Sequence, residues 1–519
     1  MEMNINHLPD KVDDLKEIII KQYKQEQKYK SVIKMLKEQI NILRATIFGS
    51  SAEKLEEEEP EQIQVFDETE KDAPEEDEER TEVAAHSRRN GGRKPLPENL
   101  PRVDIVHELD KEARIHGCGR EMKEIGEEVT EKLRIIPQQI IVEVHHRKKY
   151  ACECEGVETE GLEGAVRIAP LEPSMIPQSI ATPSLLAYVL TGKFCDALPF
   201  YRQENIFARI GLQLPRQTMC YWAIKVYERA KPLLKIMEEN IRAGPLLGMD
   251  ETPVQVLNEG DRKNTTKSYM WVARGGRIGK PVLLYRYYPT RSAEFLVEHL
   301  KGYKGYLQCD GYPAYDEQGK RKDRTIKLVG CWAHVRRKYF DVIKAAGNSS
   351  IAREALKRIR QLYKIEKQAR LTRMPPDKIK ALRQMESKKL VEDFKKWIDE
   401  LVAEVPPKST LGKAIAYTLN EWPKLTVFLE DGHIPIDNNL VENAIRPFVV
   451  GRKNWLFSGS PRGASASAGL YSIIETARAN DLEPFWYLLH LFNNLPKAKT
   501  PSDYESLLPF NVDRSKLES

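Results

Sequence analysis

The sequence predicts a multidomain protein of mixed α+β/α class, in which an α/β domain is joined to helical segments and a small β-rich module. Three observations lead to this prediction. The chain has 519 residues, more than one hydrophobic core usually organises, so several domains are expected. Its N-terminus carries a heptad pattern. From Leu246 onward, helical periodicity gives way to a succession of short β-type runs.

Composition excludes several classes of protein. Hydrophobic residues make up 41% of the chain and the mean hydropathy is −0.53. No run approaches the roughly 18 apolar residues that a membrane helix needs, and the N-terminus lacks the basic start and apolar stretch of a secretory signal. Seven cysteines, an odd and scattered set, predict reduced thiols. We therefore expect a cytoplasmic protein without membrane contact.

Charge is distributed unevenly along the chain. Residues 53–82 contain 16 acidic and three basic residues, so the remainder carries a net charge of +18 although the whole chain carries only +5. A basic body beside one acidic segment suits a protein whose main partner is a polyanion. The alternative is the basic surface that many cytoplasmic proteins have.

Residues 1–50 are predicted to form a coiled coil. Between residues 12 and 47, eleven positions at heptad spacing include nine apolar side chains, among them Leu15, Ile19 and Ile33. A heptad pattern sustained over this length is typical of helices that pair with another chain, so a homodimer or higher oligomer is expected. The alternative is one long helix packed on its own body.

Residues 51–103 are predicted to be an acidic disordered linker that ends in a basic segment. The acidic run repels itself and is poor in apolar residues. The basic segment, HSRRNGGRKPLPENLPR, contains Arg93 and Lys94, which can lie in a narrow A·T-rich minor groove of DNA. A plain basic linker explains the same residues.

Residues 104–170 are predicted to form a zinc-ribbon-like module. Its β-type runs hold Cys118, Cys152 and Cys154, and His116 could complete a set of four ligands. A bound Zn²⁺ would stabilise a module too small to build a sufficient core. A metal-free β module is the alternative, since two C-x-x-C pairs are not present.

Residues 171–243 are predicted to be a helical domain with a helix–turn–helix in PFYRQENIFARIGLQLPRQTMCYW. Gly211 permits a left-handed turn between two helices, and Pro215 suits the first turn of the second helix. Helical domains that do not bind DNA can show the same spacing. In the functional interpretation the second helix enters the major groove and presents Arg216, Gln217, Thr218 and Tyr221.

Residues 244–350 are predicted to form the first part of a catalytic core. Three β-type runs, LLGMDETPVQV, SYMWVARGG and PVLLYRYYP, precede the helical run RSAEFLVEHLKGY. Two further strands follow in GYLQCDGYPAYD and TIKLVGCW. The order β-β-β-α-β-α-β, with helices covering a mixed sheet, is the plan of ribonuclease H-like domains.

Acidic residues fall where this plan can use them. Asp250 lies within the first strand and Asp310 ends the fourth, which should lie beside the first. A charge inside an apolar strand is costly unless it is paired or binds metal. Glu442 lies in the helical run IDNNLVENAIRP, which can pack across the sheet and supply a third carboxylate. Such oxygen ligands suit two Mg²⁺ or Mn²⁺ ions acting on one phosphodiester.

Basic and aromatic residues close to these carboxylates are candidate DNA contacts. His334 opens the helix after the fifth strand, where it either touches a phosphate or is a buried structural histidine. Tryptophan is more often a core residue than a stacking surface, so Trp455 has both interpretations. Cations beside an aromatic ring suit phosphates and unpaired DNA ends, and the further candidates are Arg336, Arg337, Arg446, Arg452 and Lys453.

Several long motifs resemble those of the insertion sequence 66 transposases, a branch of the DDE transposases. They include GGRKPLPENLPR, LPFYRQENIFARIGLQLPRQTMCYW, GMDETPVQV, QCDGYPAYD, GCWAHVRRKYFD and DNNLVENAIRPFVVGRKNWLFSGS, and the likeness extends over nearly the whole chain. The cysteine module departs from the family pattern because it lacks two of four typical ligands. Because of this departure, the zinc-bound module and the metal-free module are both kept as alternatives.

The resemblance implies a function and a site. It implies that Asp250, Asp310 and Glu442 are the catalytic and metal-binding triad, with Glu442 rather than Asp437 as the third member. It implies a metal-dependent enzyme that binds the terminal inverted repeats of its element and transfers the cut strands to target DNA. Accessory proteins of the same element are expected. Residues 351–430 are then interpreted as a helical insertion, and residues 431–519 as the second part of the core.

Two other functions are compatible with the sequence. One is a DNA-binding regulator whose catalytic domain is inactive, because the presence of three carboxylates does not establish activity. The other is a different ribonuclease H-like nuclease. Joining of cut ends to target DNA, as opposed to hydrolysis alone, separates a transposase from such a nuclease.

Overall fold

A computed structural model describes residues 140–151, 166–260, 262–320, 325–346 and 349–517, together with scattered positions between 13 and 33. The predicted linker, the basic segment with Arg93 and Lys94, and Cys118, Cys152 and Cys154 lie outside these residues. The chain divides into two units, one of residues 59–171 and one of residues 1–58 and 172–519.

The smaller unit contains one antiparallel pair of strands in its described part. These are β1 (Lys149–Ala151) and β2 (Val166–Ile168), and Tyr150 pairs with Arg167. In the larger unit, the described positions near the N-terminus are helical. Ile19, Tyr29 and Ile33 of the predicted heptad seam have exposures of 62%, 59% and 52%, so these seam side chains are not packed on the body of the chain.

Three helices precede the sheet: α1 (Pro183–Phe194), α2 (Phe200–Arg209) and α3 (Arg216–Arg242). The chain turns at Gly211, whose φ of +84° favours glycine. Pro215 is the N-cap of α3, one position before the first turn predicted for it. Glu204 in α2 accepts a hydrogen bond from the Arg216 amide at 3.2 Å, and Trp222 anchors α3 in the core.

A mixed sheet forms the centre of the larger unit, so the fold is α+β as predicted at this coarse level. Its order is β5-β4-β3-β6-β7, where β3–β5 are antiparallel and β3, β6 and β7 are parallel. Helices α4 (Ala293–His299) and α5 (Pro313–Gly319) connect β5 to β6 and β6 to β7. The strands are β3 (Leu246–Val256), β4 (Lys267–Gly275), β5 (Val282–Tyr288), β6 (Gly305–Gln308) and β7 (Ile326–Val329).

Two helices from the C-terminal part of the chain cover this sheet. Helix α12 (Pro461–Ala479) lies along the edge strand β5, where Ser472 and Thr476 accept hydrogen bonds from the amides of Tyr285 and Leu283 at 2.8 and 3.0 Å. Because these hydroxyls take up backbone groups of the edge, β5 is closed to pairing with another strand at these positions. Helix α11 (Asn439–Trp455) packs on β3 and β4 and is followed by the short β8 (Phe457–Ser458), which pairs parallel with the end of β3.

A second, helical core adjoins the sheet. Its core residues come mainly from α6 (Trp332–Ala346), α7 (Ser350–Leu371), α9 (Lys388–Val402) and α10 (Thr410–Leu425). The short α8 (Pro376–Leu382) and a π-helical turn at Arg383–Ser387 connect α7 to α9. Arg383 is buried and forms an ion pair with Glu366 at 2.7 Å. Its guanidinium also donates to the carbonyls of Phe428 and Asp431, so one side chain ties the π-turn to two neighbouring segments.

Two further α-helices follow α12, namely α13 (Pro484–Asn494) and α14 (Pro501–Ser506). Among the helices of the described residues, none combines the length and the apolar character needed to cross a bilayer.

Candidate active site

Asp250 lies in the middle of β3, on the face that α11 covers. Side chains alternate between the two faces of a strand, so Gly248, Asp250 and Thr252 share one face. Thr252 accepts a hydrogen bond from Arg452 of α11 at 3.0 Å, and a Cβ on Gly248 would meet Val441 of the same helix. Asp250 lies between these two contacts and therefore points towards α11.

Asp310 follows β6, the strand that pairs with β3. Gly248 is the partner of Gln308 in this parallel register, so Asp250 and Asp310 each lie two residues beyond a matched pair. Asp310 Oδ1 accepts a hydrogen bond from the Tyr312 amide at 3.0 Å. Gly311 permits a close approach of α10, since a Cβ there would lie 2.7 Å from the Tyr417 ring.

Glu442 lies in the first turn of α11, which one glycine allows to sit directly on β3. A Cβ on Gly248 would lie 2.5 Å from Val441 Cγ2 and 3.0 Å from Asn438 Oδ1. Asn438, the N-cap, donates to the Met249 carbonyl at 3.0 Å. The start of α11 is thereby fixed over the part of β3 that carries Asp250.

Two side chains of α6 flank Glu442. The His334 Nδ1 atom lies 3.6 Å from Glu442 Oε1, and an Arg337 guanidinium nitrogen lies 3.4 Å from Glu442 Oε2. Both His334 Nδ1 and Glu442 Oε1 are buried and make no hydrogen bond to another described residue. Burial lowers the pKa of His334, against the opposing effect of Glu442.

Burial and neighbouring carboxylates raise the cost of ionising Asp250. Burial raises the pKa of Asp250 to about 8, and the neighbouring charges of Glu251, Asp310 and Glu442 act in the same direction. The Glu251 amide, which donates to Asp250 Oδ1 at 2.8 Å, only partly offsets this. Asp310 and Glu442 are therefore close enough to Asp250 to disfavour its negative charge, and a cation at this point would favour that charge.

Glu251 is a buried acid that the sequence interpretation overlooked. It points to the opposite face of β3, where its side chain is 1% exposed. Arg291 donates to it at 2.6 Å and Tyr315 at 2.9 Å. The signal in the sequence was the adjacent pair Asp250-Glu251 in an otherwise apolar strand, because two consecutive charges must face opposite sides and both need partners.

Asp437 is engaged elsewhere. Its Oδ2 accepts hydrogen bonds from Tyr363 at 2.8 Å and from the Asn439 side chain at 3.0 Å, and its Oδ1 accepts the Asn439 amide at 3.2 Å. Asp437 is therefore held in the helical core beside α7, whereas Glu442 contributes to the electrostatics of Asp250.

One group of metal-ligand atoms is compact in the described residues. An atom from each of Cys331, His334 and Glu442 lies within 4.8 Å of the other two. Asp250, Asp310 and Glu442 do not form such a group within the part of the chain that is described. Glu442 thus belongs to a compact Cys–His–Glu cluster and also lies beside the more widely spaced aspartates.

The predicted DNA contacts on α6 separate into a surface and an interior residue. Arg337 is 45% exposed, but Arg336 is only 6% exposed, and burial lowers its pKa. Adjacent positions on a helix point about 100° apart, so Arg336 turns into the helical core while Arg337 faces Glu442. Burial makes Arg336 a poor phosphate contact, contrary to expectation.

The predicted contacts on α11 are also divided. Arg446 lies one turn beyond Glu442 and is exposed, as is Lys453. Arg452 is partly buried and bonded to Thr252. Trp455 packs edge to face on Phe448, with ring centroids 5.4 Å apart. A more exposed aromatic ring follows α11 in β8, where Phe457 is 46% exposed.

The predicted contacts on α3 lie at the start of that helix. Arg216, Gln217 and Tyr221 are exposed and Thr218 is partly exposed, whereas Trp222 on the opposite side is buried. These four side chains lie in the first two turns of α3, immediately after the Gly211 turn.

Residues 178–466, more than half of the chain, match the family model described as Transposase IS66 family. The chain belongs to the IS66 transposase family. Three more models of IS66 elements match this family member along its length. Residues 35–105 match "Transposase C of IS166 homeodomain", residues 116–155 match "zinc-finger binding domain of transposase IS66", and residues 472–510 match "IS66 C-terminal element".

Relatives in Sinorhizobium fredii (strain NBRC 101917 / NGR234) extend the likeness to nearly the whole length. One, "Uncharacterized protein y4qI", is 32% identical over 98% of this chain and 99% of its own. Another, "Uncharacterized protein y4jD", is 33% identical over 80% of this chain and 81% of its own. These relatives support the family and add no activity of their own.

Membership in the IS66 family confirms the predicted family and implies an enzyme that cleaves DNA, with the divalent-metal use of DDE transposases. The zinc-finger match at residues 116–155 covers His116 and all three cysteines predicted to bind zinc. The IS66 match at residues 178–466 covers Asp250, Asp310 and Glu442.

Proposed function

We propose that this IS66 transposase cuts and joins DNA strands at the ends of its element, and that Asp250, Asp310 and Glu442 hold the metal ions that it uses. The observation that carries the proposal is the placement of the three acids: Asp250 and Asp310 each lie two residues beyond the paired Gly248 and Gln308, and the helix start with Glu442 is fixed over the same part of β3. Burial and both other carboxylates raise the pKa of Asp250 to about 8, which agrees with this placement. Acids brought together in this way destabilise the fold unless a cation neutralises them. Binding of metal ions would explain why the protein keeps these acidic side chains close together.

The donor atoms fit hard divalent cations. The three side chains offer only oxygen ligands, which Mg²⁺ and Mn²⁺ prefer, and Glu442 Oε1 is buried without a hydrogen bond to any described residue. Their spacing, wider than that of a single compact group, suits ligands divided between two ions. Bound ions would supply an activated water or 3′-hydroxyl and would stabilise the leaving oxygen.

Backbone and side-chain groups of the protein would hold the carboxylates and the DNA backbone. The Tyr312 amide fixes Asp310, and His334 and Arg337 flank Glu442. Arg337 is half exposed and Arg446 lies on the exposed side of α11, so both can meet a phosphate beside the carboxylates. In this proposal Arg337 exchanges its contact with Glu442 for one with the scissile strand.

We assign the mixed sheet to the ribonuclease H-like plan. The assignment is supported by three antiparallel strands followed by two parallel ones, with the order β5-β4-β3-β6-β7. Asp250 then lies on the first strand of the plan and Asp310 two residues after the fourth. Helices α7–α10 interrupt the plan between its last strand and α11, and we interpret them as an insertion.

The remaining parts would recognise DNA and assemble the complex. The exposed start of α3 would enter the major groove at the inverted repeats. The exposed heptad residues Ile19, Tyr29 and Ile33 would pair two chains. Residues 116–155 would bind zinc, as their family match suggests, and accessory proteins of the element would act with the transposase on the bacterial nucleoid.

The test is metal-dependent cleavage of DNA that carries the terminal inverted repeats of the element. We expect nicking with Mg²⁺ or Mn²⁺, and loss of at least about 1000-fold in rate for Asp250→Asn, Asp310→Asn and Glu442→Gln, because each removes a ligand of the reacting centre. Asp503→Asn, a change in the α14 cap outside the site, is the matched control and should cleave as the wild type does.

The outcomes separate the competing functions. Binding of the repeats without cleavage in either metal would indicate an inactive regulator. Cleavage without joining to target DNA would indicate a nuclease. Cleavage by Asp250→Asn at the rate of the control would refute the assignment of the carboxylates.

A further inference from the structure

We infer that Cys331, His334 and Glu442 form a binding site for a thiophilic divalent cation such as Zn²⁺, separate in chemistry from the oxygen ligands of Asp250 and Asp310. The three ligand atoms already lie within 4.8 Å of one another. In tetrahedral zinc sites, Zn–S is about 2.3 Å and Zn–N and Zn–O about 2.0–2.2 Å, which puts ligand atoms about 3.5 Å apart. His334 Nδ1 and Glu442 Oε1 are 3.6 Å apart.

Local structure delivers the ligands from two elements. Cys331 immediately precedes α6 and His334 lies in its first turn, so the C-x-x-H spacing brings both side chains to one end of the helix. Glu442 comes from the first turn of α11. The Asn438 amide, at the N-cap of α11, donates to Cys331 Sγ at 3.3 Å, which joins the two helix ends directly.

Two ligand atoms lack hydrogen bonds that a cation would replace. His334 Nδ1 and Glu442 Oε1 are buried, yet neither makes a hydrogen bond to a described residue. Buried polar atoms without a hydrogen bond are rare in folded proteins. One ligand atom from each of Cys331, His334 and Glu442 lies within 4.8 Å of the other two, which points to a ligand between these side chains.

The donor set selects the class of metal. A thiolate, an imidazole and one carboxylate suit Zn²⁺ and similar borderline ions, and three protein ligands leave a fourth position open. Mg²⁺ prefers oxygen ligands and near-octahedral geometry, so it would not compete well for the sulfur. The Arg337 charge opposes a cation here, but it lies at the other Glu442 oxygen and its side chain is 45% exposed, so it is able to turn outwards.

The shared ligand has a consequence, which rests on the proposed function. A cation held by Cys331 and His334 would keep Glu442 from joining Asp250 and Asp310. Zn²⁺ would then inhibit Mg²⁺-dependent cleavage by capturing the third carboxylate, at concentrations that fill this site.

The site is tested by titrating the metal-free full-length chain with Co²⁺, whose bonds to thiolate sulfur give a charge-transfer band. The cysteines at 118, 152 and 154 contribute equally to every variant. Cys309→Ser is the matched control, since Cys309 is a buried thiol that follows β6 and lies outside the cluster. We expect the wild type and Cys309→Ser to bind one more equivalent of Co²⁺ than Cys331→Ser.

Affinity at the extra site should fall by more than about 100-fold in Cys331→Ser, beyond what loss of an outer-shell partner costs. His334→Gln should lose the same equivalent, and thermal unfolding of the metal-free variants checks that both are folded. Identical Co²⁺ titrations for the wild type, Cys331→Ser and His334→Gln would overturn the proposal.

The inhibition has its own readout. Zn²⁺ should stop Mg²⁺-dependent cleavage by the wild type, and Cys331→Ser should require at least tenfold more Zn²⁺ for the same inhibition. Equal inhibition of both proteins would refute the capture of Glu442. If the wild type cleaves no DNA with Mg²⁺ or Mn²⁺, the proposed function fails, and the Co²⁺ titration still decides the metal site.

Discussion

Replacing Gly248 with alanine tests whether the contact between β3 and α11 sets the position of Glu442. The new Cβ would lie 2.5 Å from Val441 Cγ2 and 3.0 Å from Asn438 Oδ1, inside the optimal carbon–carbon separation of about 3.5–4.0 Å. The helix start must therefore move outwards by about 1 Å. Overpacking of this kind lowers the free energy of unfolding by about 1–3 kcal/mol, and a misplacement of about 1 Å at a reacting centre lowers the rate about 100-fold.

Both effects are measured on the full-length chain, by denaturant unfolding and by single-turnover cleavage of element-end DNA with Mg²⁺. Gly459→Ala is the matched control, because an added Cβ there meets nothing within 4 Å. Adding Val441→Ala to Gly248→Ala removes the clashing Cγ2 atom. The double variant should therefore regain part of the lost stability and rate, which a double-mutant cycle reports as a coupling energy.

Two results would refute this reasoning. If Gly248→Ala matches Gly459→Ala in stability and cleavage, the close contact does not set the position of Glu442. If Val441→Ala restores neither quantity, the clash is relieved by some other movement.

Three further predictions concern buried charges. In the metal-free protein, Asp250→Asn should raise the midpoint of thermal unfolding at pH 8 while abolishing cleavage. Because the pKa of Asp250 is raised from its ordinary 3.8 to about 8, the folded carboxyl binds a proton that the unfolded chain has lost, and stability falls as pH rises between these values. If the pH profile of the unfolding midpoint is the same in Asp250→Asn as in the wild type, this prediction is contradicted. Asp437→Asn should lower the free energy of unfolding by about 1–3 kcal/mol, because it weakens the hydrogen bond from Tyr363, yet cleavage should remain detectable. A loss of cleavage rate equal to that of Glu442→Gln would instead identify Asp437 as the third metal-binding carboxylate. Arg383→Met should cost about 3–5 kcal/mol in urea unfolding, because it leaves Glu366 without its buried partner, and a loss below about 1 kcal/mol would show that this ion pair does not hold the π-turn.

Strand order was enough to predict which aspartates lie together. Alternation along β3 and the expected pairing of β3 with β6 place Asp250 and Asp310 at neighbouring positions. In the structure Gly248 pairs with Gln308, so each aspartate lies two residues beyond this pair. The position of Glu442 could not be derived in the same way. It depends on the fit of α11 against Gly248, a contact between residues almost 200 positions apart that no local pattern encodes.

Local sequence patterns also could not predict which side of a helix faces the core, or which residues a buried charged side chain pairs with. The neighbours Arg336 and Arg337 are equivalent in the sequence, but the phase of α6 buries one and exposes the other. Glu251 seemed an ordinary neighbour of Asp250, since its partner Arg291 lies 40 residues further on. Such side chains are assigned only when the packing of whole elements is known.

Both ends of α11 are fastened to the same strand. Asn438 bonds to Met249 before the helix begins, and after it ends β8 pairs with Gln255 and Val256. The 17 residues of α11 must therefore match the stretch of β3 between these two attachments. Inserting or deleting one residue would rotate everything beyond it by about 100° and detach one end. Changes of length are thus expected in the loops of the helical core, whereas α11 can diverge only by substitution.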